Sequence, residues 1–183
     1  MKIFIPVKIP QLLAFAVALA ILAGIWLWDF EPRVKRDVAM VDDLAISRRP
    51  PLGLREYQSE RYGFSLFYPE DLAVREIDEG GGATTVIFEN PQAARGFQIF
   101  IVPYEGTLVS EERFLKDAPS GVRESPVDFY LDGVLATAFY GRNNFLGETR
   151  EIWFIHNGYL YEVTTFKGLG DWFAPIMQTW RFL

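Results

Sequence analysis

"YGFSLFYPEDL", residues Tyr62 to Leu72, decides how the rest of the chain is read. A strand with one face in water alternates apolar and polar side chains. Here Phe64, Leu66 and Tyr68 face one way and Phe67 faces the other, so the strand is apolar on both sides. A sheet containing such strands must be covered on both faces. Pro69 ends the strand by removing a ladder donor, and Glu70-Asp71 turn the chain back to water.

The same two-sidedness recurs downstream. Phe97, Ile99 and Ile101 oppose Phe100 and Val102; Val86 and Phe88 oppose Ile87. Further strands are expected over 74–78, 127–131, 134–140, 150–156 and 159–165, with 83–89 and 97–102 holding the residues just named. "EGGG" before Ala83 reads as a loose hairpin loop. Asp132-Gly133 and Asn157-Gly158 each separate two apolar runs, and both pairs suit a type I′ turn, which needs positive φ at both central residues. Ser110 is expected to cap a short helix with Glu111 and Glu112 in its first turn and Phe114, Leu115 and Ala118 on its apolar side. A last helix is expected from Asp171, with Trp172, Phe173, Ile176, Met177 and Trp180 on one stripe and Pro175 in its first turn. The expected class is α+β: an antiparallel sheet flanked by helices, over residues 57–183.

Two segments precede this domain. Leu12 to Trp28, "LLAFAVALAILAGIWLW", is 17 residues without a charge, and Ile9, Pro10 and Gln11 extend it to about the 20 residues that cross a bilayer. Trp26 and Trp28 lie at one end, where aromatic rings favour the interface. A signal peptide would be cut after Ala18-Leu19-Ala20 and leave a greasy new terminus, so residues 1–28 read as one uncleaved transmembrane helix. Lys2 and Lys8 before it and Arg33, Lys35 and Arg36 after it nearly balance. Because long domains translocate largely regardless of charge, the globular part is expected outside the cytoplasm on a single-pass anchor in the cell membrane. Residues 29–56 hold six acids and six bases and read as a tether, spanning on the order of 30 Å if flexible.

Composition excludes several function classes. The chain carries −6 net charge, and phosphate backbones repel an acidic domain, so no nucleic-acid partner is expected. With no cysteine there is no disulfide framework, thiolate metal site, Cys nucleophile or lipidated Cys.

Three motifs in order resemble the PsbP/Mog1-like family: Tyr57 with Tyr62-Gly63-Phe64-Ser65 and Tyr68-Pro69, then Asn157-Gly158-Tyr159-Leu160-Tyr161-Glu162, then Thr179-Trp180-Arg181-Phe182. The resemblance covers about residues 57–183; Leu72 departs from it, since many relatives have Trp after the proline. It implies an α-β-α sandwich around an antiparallel sheet. Relatives serve as photosystem accessory subunits, as a Ran-GTPase partner and as bacterial envelope proteins, so it implies association rather than catalysis, and no site residue is carried over.

The residues themselves point the same way. His156, the sole histidine, should pair with Tyr159 across the hairpin. No activated nucleophile or G-x-S-x-G accompanies it, so no catalytic residue is assigned. Glu70, Asp71, Glu76, Asp78 and Glu79 lack a D-x-D-x-D-G spacing and read as a solvated edge; no metal site and no cofactor are expected. "EGGG" lacks the Lys-Ser/Thr of a phosphate loop. Pairing 156 with 159 sets Trp153 opposite Glu162 and Glu151 opposite Thr164. Trp153 beside two carboxylates then reads either as a rim residue or as a Trp beneath a covering helix. "GRNNFLGE", Gly141 to Glu148, reads as a hairpin connection with Phe145 and Leu146 exposed between polar residues. Phe145, Leu146 and Trp153 are the candidate partner-binding residues. The function expected is a membrane-anchored, non-catalytic interaction module, such as an accessory subunit of a membrane complex. The alternative is an envelope protein holding a small molecule or lipid in an aromatic pocket between sheet and helix, and an envelope hydrolase comes last.

Overall fold

The computed structural model describes residues 49–183. The segments read as anchor (1–28) and as most of the tether (29–48) lie outside the described residues. In chain order the elements are β1 (Leu54–Ser59), β2 (Phe64–Pro69), β3 (Ala73–Gly80), β4 (Ala83–Asn90), β5 (Arg95–Pro103), α1 (Glu111–Asp117), β6 (Glu124–Leu131), β7 (Val134–Asn143), β8 (Gly147–His156), β9 (Tyr159–Phe166), α2 (Gly170–Met177) and β10 (Arg181–Phe182). β1 begins inside the segment read as tether.

The strands form two antiparallel sheets, one ordered β1-β2-β10 and one ordered β3-β4-β5-β9-β8-β7-β6. This corrects the expected sandwich. The apolar faces are covered less by helix than by a second sheet. Phe64, Leu66 and Tyr68 of β2 enter the main core with Val86, Phe88, Ile99, Ile101, Phe154, Tyr161 and Val163 of the large sheet. α2 adds Phe173, Ile176 and Met177 to that core. Its start at Gly170 puts Pro175 inside the helix instead of in its first turn. Phe67, on the reverse of β2, is also buried, and its N–H donates to Thr179 Oγ1 at 2.8 Å. The face of β2 that carries Phe64, Leu66 and Tyr68 is therefore buried by a small sheet packed on a large one.

The other face of the large sheet is covered by α1. Ser110 caps it as expected, its Oγ accepting from the N–H of Arg113. Phe114 is its single buried residue; Leu115, expected beside it, is exposed. With only seven residues, α1 is about 10 Å long and roofs part of a seven-stranded face.

The turns follow from the glycines. His156 pairs with Tyr159, and Asn157 and Gly158 have φ of 47° and 78°, as a type I′ turn requires. "EGGG" corrects to a tight turn: Gly80 pairs with Ala83, and Gly81 and Gly82 both have positive φ. Gly158→Val forces a β-branched side chain into the left-handed region. The expected loss is about 1–2 kcal/mol, read as a lower urea midpoint; an unchanged midpoint would contradict the turn.

Candidate functional site

The roofed face is built from two rows of side chains crossing the strands. One row runs Ile77, Thr85, Phe100, Glu162, Trp153, Thr137; the next runs Arg75, Ile87, Gln98, Thr164, Glu151, Phe139. Apolar and polar groups alternate along the first, whereas the second sets Gln98, Thr164 and Glu151 side by side. Phe114 of α1 packs on Phe139 and Trp153, with ring centroids 5.8 and 5.4 Å away. Beyond that contact the roof stops, and a cavity of about 560 Å³ remains. Its floor includes Thr85, Gln98, Phe100, Glu151, Trp153, Glu162 and Thr164. Its walls come from Lys116 to Ser120 at the end of α1 and from Arg142 to Phe145 at the tip of the β7–β8 hairpin.

Two buried carboxyls on this floor are the unusual feature. Glu151 Oε2 accepts from Thr164 Oγ1 at 2.7 Å and from Trp153 Nε1 at 3.3 Å. Burial raises its pKa, and those hydrogen bonds oppose the rise without cancelling it. The Glu162 side chain is only 8% exposed, and its nearest cation, Arg113 Nη2, is 3.8 Å from Oε1. Arg113 is committed elsewhere, ion-paired through Nε to Asp117 one turn along α1. An ionised Glu162 leaves Oε1 without a hydrogen-bond donor. Burial first, then Asp117 as hydrogen-bond partner and like charge, raise the Glu162 pKa well above the usual carboxylate range. Glu162 and Asp117 thus share one guanidinium while Glu151 stands on the same floor without an ion pair, and burial makes the excess negative charge costly.

The sequence matches no protein-family model and no curated protein. Among solved structures it is similar to the solution structure of cyanobacterial PsbP (CyanoP) from Synechocystis sp. PCC 6803. The match has a TM-score of 0.51 at 16% sequence identity and covers 72% of this chain and 93% of that one. This domain has a PsbP-like fold. At that identity the likeness concerns the fold alone.

Within this PsbP-like fold the sequence candidates separate. Trp153 lies under α1 and at the same time lines the cavity, 5% exposed. Phe145 stands on the cavity rim and is 96% exposed. Leu146 turns away, half-buried, toward a smaller cavity of about 290 Å³. The expected eight-residue connection is also corrected: β7 and β8 pair as far as Asn143 and Gly147, leaving three residues at the tip. Asn143 Oδ1 accepts from the N–H groups of Phe145 and Leu146 and fixes that tip. His156 lies against the Phe182 ring at 3.9 Å and is not among the residues lining the cavity.

The acids between Asp71 and Glu79 do separate jobs. Asp71 binds Arg95 and Asn90, Glu76 accepts from Tyr57, and Glu79 accepts from Thr85. Among the described residues no group of three His, Asp or Glu is placed to hold a metal ion. Sequence reasoning missed the convergence of Arg113 and Asp117 on Glu162. The signal for the floor itself was present: hairpin register puts Glu151 and Glu162 on the same face as Trp153, Ile155 and Leu160.

Proposed function

We propose that this chain is a membrane-anchored, non-catalytic interaction module. In this reading residues 1–28 are a single-pass anchor, the following segment is a tether, and the globular domain lies outside the cytoplasm against a protein partner in or on the membrane. Among the described residues no helix is long and apolar enough to cross a membrane. The observation that carries the proposal is Phe145: a large ring, almost fully exposed, on a tip fixed by two hydrogen bonds. The fold does not need it there.

The sheet edges support a contact at the tip. β3 is mostly exposed and has a bulge at Asp78/Gly80. β6 carries Pro126 within a bulge between Glu124 and Val127, with Ser125 at φ 48°. Both devices blunt strand addition. A tether also keeps the domain at high effective concentration near a membrane partner, so modest affinity suffices. A second reading, a pocket for a small molecule or lipid, is favoured by the cavity of about 560 Å³, within the size range of ligand clefts.

The test is site-specific photocrosslinking in native membranes. A photoreactive residue at position 145 is expected to give a discrete adduct, and one at Arg75, on the exposed edge strand, is expected to give none. Phe145→Ser is expected to reduce partner recovery while shifting stability by less than about 0.5 kcal/mol. No adduct at 145, or a destabilised Ser variant, overturns the proposal.

A further inference from the structure

We propose that the cavity between the large sheet and α1 is a binding site for an organic cation, an ammonium or guanidinium group on a short chain, seated against Glu162 and Glu151. Glu162 and Asp117 share one internal cation, Arg113, which is spent on Asp117, and the buried Glu151 has hydrogen bonds but no ion pair. Lys116 and Arg142 also line the cavity, but both are exposed at its rim and neither is ion-paired to these acids. The floor is short of positive charge.

Three further features fit a cation. The Glu162 side chain is more than nine-tenths buried and lines the cavity, and when it is ionised its Oε1 accepts no hydrogen bond from the folded chain. Cross-strand register places Phe100 on one side of Glu162 and Trp153 on the other, and aromatic faces attract cations. The hydroxyl of Thr85 and the amide of Gln98 stand on the same floor as further polar groups. A ligand cation supplies charge-assisted hydrogen bonds that the folded chain lacks.

Occupancy has a proton signature. Empty, the floor balances its charge with protons, because burial holds both carboxyls protonated further up the pH scale than usual. A bound cation favours the ionised forms, so binding releases protons and strengthens as pH rises. This inference does not depend on the hairpin tip, and a failed crosslink at position 145 leaves it standing.

Titration calorimetry on the full chain in mild detergent tests it. The probes are n-butylguanidinium and n-butylammonium, with N-butylurea as a neutral control of similar shape. Acetyl-arginine amide presents the same head group as a partner's side chain would. Binding of either cation, with proton release and without binding of the urea, is expected. Tighter binding of the arginine amide than of butylguanidinium assigns the cation to a polypeptide, and the reverse assigns it to a free small molecule. Glu162→Gln is expected to weaken binding by about tenfold or more, and Glu151→Gln provides a second variant should the first alter the floor. Urea binding as tight as the cations, affinity unchanged in both Gln variants, or no binding of any cation overturns the proposal.

Discussion

Replacing Trp180 with alanine is expected to cost about 3–5 kcal/mol, the range for truncating a buried aromatic. The side chain is fully buried. It stacks on Phe64 of β2, with centroids 4.2 Å apart and planes within 5°. It also meets Phe154, Tyr161 and Phe182 edge-on at 5.2, 5.9 and 6.0 Å. One residue therefore joins the small sheet to the large one. Its Nε1 has no hydrogen-bond partner, so the ring matters and the indole N–H does not. Trp180→Phe should recover most of the loss. Urea unfolding of the two variants checks both statements, and equal midpoints for Ala and Phe would refute the packing account.

Glu162→Gln is expected to stabilise the protein at alkaline pH by on the order of 3 kcal/mol, the upper part of the range for an unpaired buried group. The sign follows from linkage. The folded pKa lies above the ordinary value of 4.5, so the native state holds the proton more tightly than the unfolded chain. That contribution is complete below pH 4.5 and is lost as pH rises through the raised value. Wild-type stability should fall as pH rises from about 4.5 to about 10, and Glu162→Gln should flatten the fall. Glu151, shifted the same way, keeps a residual slope. Urea unfolding across this range is the measurement. A variant with the wild-type slope would mean that Glu162 is ionised at little cost in the native state.

The large sheet was legible because its signals are local. Asn157-Gly158 set the pairing of His156 with Tyr159, and that register placed Trp153 opposite Glu162. The Ser110 cap was legible for the same reason. The small sheet was legible only in part: the residues of β2 read as a strand, and the motif Thr179-Trp180-Arg181-Phe182 marked the place of β10, but β1 was hidden. β1, "LREYQS", is largely exposed and polar, so it resembles a tether, and β10 is only two residues long. "GRNNFLGE" looked like a loop for its glycines, yet Gly141 is a buried strand residue. A Cβ there would approach Thr149 Oγ1 to 3.0 Å and Glu151 Cγ to 3.2 Å, so glycine answers to packing and not to a turn. The candidate site was half legible. Its floor follows from hairpin register, but its partners Arg113 and Asp117 arrive from a helix nearly fifty residues earlier in the chain, which no local rule brings together.

The strand order of the large sheet has a kinetic consequence. β3-β4-β5 and β6-β7-β8-β9 are two meanders, each made of antiparallel neighbours adjacent in sequence. Each can zip from its own tight turns. They meet along a single seam, β5 against β9, where Ile99 pairs with Val163 and Ile101 with Tyr161 across some sixty residues of chain. Closing that span takes chain entropy before any contact is gained. The rate-limiting step of folding therefore lies at this seam, and substitutions at Ile99 or Val163 slow folding, whereas those in the outer hairpins chiefly speed unfolding.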